Sequence, residues 1–571
     1  MKNEWKTPSA GAAFIILLTV AAYFPSLNGG FIWDDDSYVT ENPTLRSPGG
    51  LEAIWFKPGA TPQYYPLVFT SFWAEHRLWG LEPFGYHLVN VLLHAVNAVL
   101  LWRVLRRLEV AGAWWAAAIF ALHPVAVESV AWVTERKNVL SGLFYLLAAL
   151  AWLRFRPLTA KEAARTPDWR FYWLALGLFV CALFSKTVTC SLPAVLVLLI
   201  WWKTGRLRKM DAVGLVPWFV LGAAAGFMTR CMEQRLVAGG ADWSLSFVQR
   251  CLVAGRAVWF YAGKLCWPRN LSFVYPRWGI NADAAWQYSF PLAALVVLVA
   301  LWFLRSRIGR GPLVAVLFFG GTLAPALGFF DIYPFRYSYV ADHFQYLAGI
   351  GLIALAASAG ATAFQRAGQR GRELGTVLAA IVLVLLGIAC RRQTRVYYNL
   401  ETLWRDTLAK NPNAWLAHNN LGTVLRQAGK PQEALQCFEQ ALRIKPDLAE
   451  GYYNMGVTLA RLDRFQEAIE HYEQALRLKP DFAEAHYNLG IALAESGRIA
   501  ESMVQWKEAL RLKPDYAEAH FNLGLMLAAQ GQTTEALEHC RKALDLANRK
   551  GNAILADAVR NQIKRIGEPP P

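Results

Sequence analysis

The sequence predicts an all-α protein in which a polytopic membrane helical bundle is followed by an α-solenoid of helical hairpins. Of its 571 residues, 55% are hydrophobic and 18% are charged, whereas a soluble protein carries about 25% charged residues. The apolar residues form long runs up to about Arg391, and a 34-residue period begins near Asn413. We therefore predict a membrane domain (1–395), a helical connector (396–412), a repeat domain (413–550) and a C-terminal tail (551–571).

Apolar runs of suitable length indicate about eleven membrane spans, since a helix needs about 20 apolar residues to cross the hydrocarbon core. The first run is long and no clear signal-peptidase site follows it, so we predict an uncleaved helix. The segment Cys251–Leu265 reaches only about 22 Å and carries Arg256 and Lys264, so we predict an interfacial or re-entrant helix there. The predicted spans are Ala10–Leu27, Tyr86–Trp102, Ala111–Ala126, Val139–Leu153, Phe171–Phe184, Val188–Trp202, Ala212–Met228, Phe290–Leu304, Pro312–Phe329, Leu347–Ala361 and Leu374–Cys390.

Basic clusters fall at alternate gaps between the predicted spans of the N-terminal half. The positive-inside rule places these clusters in the cytoplasm, and with one non-spanning segment at 251–265 it places the repeat domain outside. Because the basic residues sit in short membrane-flanking clusters, the net charge of +16 does not indicate nucleic-acid binding. The clusters are Lys2 and Lys6; Arg103, Arg106 and Arg107; Arg154, Arg156, Lys161, Arg165 and Arg170; and Lys203, Arg206, Arg208 and Lys209.

The C-terminal part repeats an Asn-x-Gly motif and a Lys-Pro-Asp triplet every 34 residues. This pattern resembles the tetratricopeptide repeat in about four copies, whose hairpins stack to leave a concave groove. The repeated asparagines either line that groove and bind the backbone of a polypeptide acceptor, or support helix packing within each repeat. They are Asn420, Asn454, Asn488 and Asn522.

Three adjacent carboxylates, Asp34, Asp35 and Asp36, follow the first predicted span. Adjacent carboxylates repel each other, so we expect at least one raised pKa. Such a group at a membrane surface suits a general base or a metal ligand, and a divalent metal is possible. The alternative is a solvated acidic turn.

Further ionisable residues lie at the same predicted outer face of the membrane domain, where such groups are costly and indicate function. We predict that Glu128, Trp132 and Glu135 share one helical face, and that Lys186 lies at an outer turn. Cations there would neutralise a phosphate leaving group. The candidates for binding the phosphate or sugar of a donor are Glu128, Arg136, Lys186, Arg336, Asp342, His343 and Tyr346.

Together these residues resemble the transmembrane and tetratricopeptide-repeat-containing protein O-mannosyltransferases, a family with the GT-C glycosyltransferase fold. The resemblance rests on Trp33-Asp34-Asp35, Glu41-Asn42, Tyr64, Pro66-Leu67, Tyr86-His87-Leu88, Asn90, His94, His123-Pro124, Glu128, Arg136, Ser185-Lys186, Ala341-Asp342 and Tyr346-Leu347. It implies transfer of a sugar, mannose by analogy, from a polyprenyl-phosphate donor to a hydroxyl of protein Ser or Thr on the non-cytoplasmic side. Asp34 and Asp35 would supply the base, with inversion at the anomeric carbon, and no further cofactor is implied.

The sequence differs from the usual pattern of the animal members at Tyr65, Thr187, His343 and the Lys137-Asn138 pair. Its repeat array is also short, which is similar to bacterial members. We therefore expect a bacterial inner membrane, or the endoplasmic reticulum membrane if the chain is eukaryotic.

Two other functions stay open at this point. A non-catalytic membrane scaffold would recruit protein partners through the repeats, but about eleven spans exceed what anchoring needs. A flippase for a lipid-linked sugar would favour carboxylates near the bilayer midplane, whereas these carboxylates lie at the outer rim.

Overall fold

The computed structural model describes residues 8–159, 167–237, 245–330 and 333–567. Within these ranges the chain forms helices and no strand, which confirms the predicted all-α class. It divides into two compact units, Met1–Asn411 and Pro412–Pro571. The basic residues Lys2, Lys6, Lys161 and Arg165, and the last four residues of the predicted tail, lie outside the described residues.

The first unit contains seventeen α-helices among its described residues, joined by short loops and 3-10 turns. Several of the predicted spans include an adjacent 3-10 turn, and each predicted span overlaps one of these helices. They are α1 (Pro8–Tyr23), α2 (Pro43–Arg46), α3 (Gly50–Phe56), α4 (Pro66–Trp79), α5 (Pro83–Arg107), α6 (Ala113–Leu122), α7 (Val127–Ala131), α8 (Arg136–Phe155), α9 (Trp169–Ser185), α10 (Leu192–Thr204), α11 (Lys209–Val237), α12 (Phe247–Cys266), α13 (Ser289–Ile308), α14 (Gly311–Leu323), α15 (Gly349–Arg366), α16 (Gly368–Thr394) and α17 (Leu400–Lys410).

By length and composition, seven helical segments of the described chain are able to cross a membrane, or eight if the bent pair α6–α7 forms one span. That pair bends by 52°. Helices α9 and α14 are apolar but shorter, so the number of about eleven spans stays a prediction. Helix α12, which contains the segment predicted not to cross, does not meet the same standard of hydropathy.

Helices α5, α6 and α8 form the centre of the first unit. The face of α6 toward its neighbours is lined by small residues such as Ala116, Ala117 and Ala121, all essentially unexposed. Small side chains allow helix backbones to approach closely in a membrane protein. This packing holds the bend at His123, and with it the segment that carries Glu128, against the start of α8.

The second unit consists of four helical hairpins and a final helix among its described residues. Glycine allows each hairpin to close, because a Cβ at Gly456 would lie 2.8 Å from the Tyr472 ring, and one at Gly490 would lie 2.4 Å from Trp506. The helices are α18 (Trp415–Gln427), α19 (Pro431–Ile444), α20 (Ala449–Ala460), α21 (Phe465–Leu478), α22 (Ala483–Glu495), α23 (Ile499–Leu512), α24 (Ala517–Ala529), α25 (Thr533–Arg549) and α26 (Ala553–Gly567).

Candidate functional site

The loop after the first span begins with an unusual backbone conformation at Trp33. Its φ of 49° lies in the left-handed region that bulky residues rarely adopt, at a cost of about 1–3 kcal/mol. The indole ring packs 5.1 Å from the Trp404 ring and 6.3 Å from the Phe273 ring. These contacts offset the strain and fix the turn immediately before Asp34 and Asp35.

Asp35 is completely buried, and three groups donate hydrogen bonds to its carboxylate. The backbone N–H of Ile32 donates at 2.9 Å, and the backbone N–H and hydroxyl of Thr134 donate at 2.7 Å and 2.6 Å. Burial raises the pKa of Asp35 to about 7 against the opposing effect of these bonds. Asp35 therefore joins the loop after α1 to the segment before α8, and its oxygens are occupied within the protein.

Asp34 is only partly buried, and its carboxylate makes no hydrogen bond or ion pair with any described residue. Burial raises the pKa of Asp34, the nearby charge of Lys137 lowers it, and that of Glu135 raises it. A carboxylate with a raised pKa and a free oxygen has the chemistry of a general base. The two adjacent aspartates thus differ in what they can do.

A network of six polar side chains, which we call the polar cluster, lies beside Asp34. Glu135 accepts an ion pair from Lys137 at 2.9 Å and from Lys186 at 3.5 Å. Glu128 binds the Nδ1 of His343 at 2.9 Å, and the His343 Nε2 lies 4.0 Å from Glu135. The cluster consists of Glu128, Glu135, Lys137, Asn138, Lys186 and His343.

The cluster thus contains two carboxylates and two ammonium groups, and both carboxylates are paired. Lys137 and Lys186 both contact Glu135, and Glu128 contacts His343, so none of these cluster residues forms an ion pair with the carboxylate of Asp34. An acceptor hydroxyl that approaches Asp34 meets a base that is not already neutralised by a salt bridge.

Lys186 lies at the break between α9 and α10, as the sequence predicted. Its ammonium group donates a hydrogen bond to the Asn138 Oδ1 at 2.7 Å, and burial lowers its pKa to about 8. An ammonium group has three donors, and the contacts with Asn138 and Glu135 use two of them.

Arg136 lies in a different network, although it is adjacent to Lys137 in the chain. Its side chain is fully buried, and it forms an ion pair with Glu75. A guanidinium has five N–H donors, and the contacts account for all five. They are two to the Glu75 carboxylate, and one each to the Asn90 amide oxygen, the Ser71 hydroxyl and the Tyr86 carbonyl. No donor is left for the phosphate that the sequence analysis assigned to it.

Two more of the predicted donor-binding residues have partners of their own. The Tyr275 hydroxyl lies 2.9 Å and 3.0 Å from the two oxygens of Asp342, and burial raises the pKa of Asp342 well above its usual range. The Tyr346 hydroxyl lies 2.9 Å from the His94 Nδ1. Both side chains are buried and support the segment that carries His343.

Arg336 lies in a 3-10 turn (Tyr333–Arg336) and is partly exposed. Its guanidinium makes no ion pair or hydrogen bond with any residue in the described ranges. The neighbouring hydroxyl of Tyr337 is influenced electrostatically both by Arg336 and by Asp34. Arg336 and Asp34 therefore both lie within electrostatic range of the Tyr337 hydroxyl.

The predicted continuous helical face from Glu128 through Trp132 to Glu135 is wrong. Helix α7 ends at Ala131, Trp132 is extended, and a 3-10 turn (Val133–Glu135) precedes α8. The two glutamates nevertheless meet, because both approach the imidazole of His343.

In the repeats, three of the four predicted asparagines donate hydrogen bonds to the preceding repeat. These bonds are a packing role for the amide nitrogens, and they do not use the amide oxygens, which could still bind a peptide. The acceptor-binding role therefore stays a prediction. The amide nitrogen of Asn420 is buried and meets no partner among the described residues. The bonds run from Asn454 to the Asn419 Oδ1 at 3.1 Å, from Asn488 to the Tyr453 hydroxyl at 2.9 Å, and from Asn522 to the Tyr487 hydroxyl at 3.3 Å.

Within the described ranges, no group of three or more His, Cys, Asp or Glu side chains is arranged to hold a metal ion. The possible divalent metal accordingly stays a prediction without a ligand set. Sequence reasoning did not assign Thr134, Lys137 or Asn138 to the site. Their position is the signal that indicates them, since the polar run from Thr134 to Asn138 leads into an otherwise largely apolar helix.

Comparisons with known proteins match the repeats and most of the chain as a whole. Models of the tetratricopeptide repeat match residues 414–481, 471–503, 492–531 and 517–548. A Protein O-mannosyl-transferase of Caenorhabditis elegans is 23% identical over 76% of this chain and 62% of its own length. Protein O-mannosyl-transferase TMTC4 of Homo sapiens is 25% identical over 74% of this chain and 64% of its own length. The chain's curated homologues are protein O-mannosyl-transferases.

These matches confirm the resemblance on which the sequence analysis relied, and the repeat models confirm the tetratricopeptide-repeat solenoid. The chain spans less than two thirds of the length of each of these two relatives. Among solved structures, the chain is similar to a crystal structure of MamA, with 24% identity, a TM-score of 0.25 and coverage of 27% of this chain and 89% of that one. It is also similar to YrrB, a TPR protein with an unusual peptide-binding site, with 24% identity, a TM-score of 0.25 and coverage of 35% and 98%.

Proposed function

We propose that this chain is a GT-C-type membrane glycosyltransferase, which transfers a sugar from a polyprenyl-phosphate donor to a Ser or Thr hydroxyl of a polypeptide. The names of its relatives favour mannose. The observation that carries the proposal is the carboxylate of Asp34, partly buried and unpaired beside a cluster in which the other two carboxylates are paired.

In the proposed reaction, Asp34 accepts the proton of the acceptor hydroxyl. The hydroxyl oxygen forms a bond to the anomeric carbon while the bond from that carbon to the phosphate oxygen breaks. Polyprenyl phosphate leaves with the electron pair of the broken bond, and the configuration at the anomeric carbon is inverted.

Lys186 and Arg336 are the proposed cations for the departing phosphate. Preorganised cations stabilise charge that develops in a transition state, and both residues have donors that the described contacts do not use. Lys137 differs, because its ammonium is held by Glu135 at 2.9 Å and acts on Asp34 mainly through space.

Asp35 acts as a positioning residue in this proposal. By bonding Ile32 and Thr134 it fixes the loop, so that Asp34 faces Lys137 and the cluster. Glu128 similarly positions His343 through its imidazole and its backbone N–H.

The repeats would present a polypeptide acceptor on the same side as Asp34, which is the non-cytoplasmic face by the positive-inside rule. Tetratricopeptide repeats form a groove suited to extended or helical peptides. The membrane itself would be the bacterial inner membrane, or the endoplasmic reticulum membrane in a eukaryote.

The test uses the full-length protein in lipid nanodiscs, radiolabelled polyprenyl-phosphate sugars and a Ser/Thr-rich acceptor peptide. Loss of a general base costs about 10²–10⁴-fold in rate, so we expect Asp34→Asn to lower incorporation by at least about a hundredfold without a change in thermal stability. The matched control is Asp36→Asn, since Asp36 is exposed and, among the described residues, its carboxylate accepts a hydrogen bond from the Thr40 hydroxyl alone. It should transfer sugar at the wild-type rate.

Asp35→Asn should behave differently from both variants. An amide placed among three donors leaves one of them unsatisfied, at about 1–3 kcal/mol, so this variant should lose stability as well as activity. Undiminished transfer by Asp34→Asn would exclude the proposed base. If no lipid-linked sugar supported transfer by the wild type, a scaffold role for the repeats would become the better account.

A further inference from the structure

A groove of about 760 Å³ lies between α5, α8 and α9, and nothing in the proposed reaction uses it. Each helix contributes residues at helical spacing. Leu147, Leu150, Ala151 and Arg154 follow one face of α8, and Phe171, Leu174 and Leu178 follow one face of α9. Residues three, four and seven apart share a face of a helix, so the lining residues of α8 and of α9 each present one face to the groove.

The chemistry of the groove changes along its length. One end is lined by four arginines, Arg103, Arg106, Arg107 and Arg154, and the rest by leucines and aromatic rings. None of the described residues that line it is acidic. Arg103, Arg106 and Arg154 are exposed, so their charges are available to a ligand at the mouth of the groove.

The position along α8 separates this groove from the polar cluster. Lys137 is at the start of α8 and Arg154 near its end, and at 1.5 Å per residue the two lie about 25 Å apart along the helix. That is close to the thickness of the hydrocarbon core, about 30 Å. The groove therefore opens at the opposite membrane interface from Asp34, where the sequence predicts the cytoplasmic side.

We propose that this groove binds an anionic glycerophospholipid of the cytoplasmic leaflet, with the phosphate of its headgroup against the four arginines and its acyl chains along α8 and α9. Arginine recognises phosphate through paired N–H donors, and basic pockets between membrane helices on this side suit anionic headgroups. The volume matches that of small-molecule sites, about 300–1,000 Å³. A polyprenyl phosphate serving Asp34 would have its phosphate at the other interface.

The test measures lipid retention by native mass spectrometry of the full-length protein in detergent, titrated with phosphatidylglycerol or phosphatidylcholine. The variant Arg103→Gln/Arg106→Gln/Arg154→Gln removes three charges from the groove. Each cation near an anionic headgroup contributes about fivefold to affinity, so we expect retention of phosphatidylglycerol to weaken on the order of a hundredfold. Binding of phosphatidylcholine should be weak in all variants.

The matched control, Arg366→Gln/Arg370→Gln/Arg372→Gln, removes the same charge from exposed arginines near the α15–α16 turn, and it should change retention by less than about twofold. A second variant, Leu174→Trp, fills the apolar part while keeping every arginine. Leu174 is 51% exposed, so the larger ring fits without disturbing the fold, and retention should again fall.

If the triple variant of the groove and the triple control variant lose lipid retention equally, the effect comes from overall charge and the proposal is overturned. Unchanged retention in the triple variant of the groove would also overturn it. Displacement of the lipid by inorganic phosphate at equal concentration would show that the acyl chains contribute nothing. Preferential binding of polyprenyl phosphate over phosphatidylglycerol would contradict the lipid class. If the triple variant does not fold, Leu174→Trp decides alone.

Discussion

Replacing Arg136 by Met tests whether this arginine is part of the scaffold or a ligand of the donor. Arg136 and Glu75 have side chains exposed by 0% and 7%, and the guanidinium donates to five acceptors. Removing one partner of such a buried pair leaves an uncompensated charge, which costs about 3–5 kcal/mol. We therefore expect Arg136→Met to lower the free energy of unfolding by that amount.

The double variant Glu75→Gln/Arg136→Met should recover part of this loss, because neither charge is then left alone. The coupling energy from the double-mutant cycle should be about 2 kcal/mol, within the range for residues in contact. Unfolding is followed by tryptophan fluorescence of the detergent-solubilised protein. The control is Arg269→Met, at an exposed position, which should stay within about 0.5 kcal/mol of the wild type.

The same preparations are assayed for donor KM. Our reasoning is refuted if Arg136→Met unfolds like the wild type while the donor KM rises. In that case the guanidinium would contact the donor's phosphate, and its five internal contacts would contribute little.

Three further predictions concern titration and packing. The base must be ionised, and burial raises the pKa of Asp34. The transfer rate should therefore fall as pH decreases through a value above the ordinary carboxyl pKa of about 4. A fall in rate only at or below pH 4 would contradict this prediction. The pKa of the Lys186 ammonium is lowered to about 8, so the transfer rate should also fall as pH rises through about 8. In Lys186→Arg this alkaline fall should move beyond pH 10, because arginine stays charged. If the alkaline fall does not move, another group causes it. In the repeats, Gly490→Ala should lower the free energy of unfolding, measured by chemical denaturation, by about 1–3 kcal/mol, because the new Cβ meets the ring of Trp506 at 2.4 Å. The control Glu495→Ala, on the exposed side of the same helix, should leave stability unchanged. Equal stability of the two variants would contradict the packing argument.

The repeat domain was readily predicted from the sequence, because its physics is local. Each hairpin depends on residues that recur every 34 positions, such as Gly456 and Gly490, and these two glycines each face an aromatic ring of their own repeat. The apolar runs likewise predicted the positions of the membrane helices, since a hydrocarbon environment requires long apolar segments.

The division of labour between Asp34 and Asp35 was not predictable from the sequence. It depends on the left-handed turn at Trp33 and on the hydrogen bonds to Thr134, which is 99 residues away in the chain. Similarly, Arg136 and Lys137 are neighbours in sequence but face different partners, Glu75 and Glu135. Contacts across such separations depend on how the helices pack, which no local pattern records.

The account depends most directly on where the donor binds relative to Asp34. A cryo-electron microscopy structure of the Asp34→Asn variant, trapped with a polyprenyl-phosphate sugar and an acceptor peptide, would measure this. We expect the donor's phosphate about 3 Å from the Lys186 ammonium, and the acceptor hydroxyl within hydrogen-bond reach of position 34. A phosphate bound against Arg136, or at the arginine-lined groove between α5, α8 and α9, would contradict the proposed site.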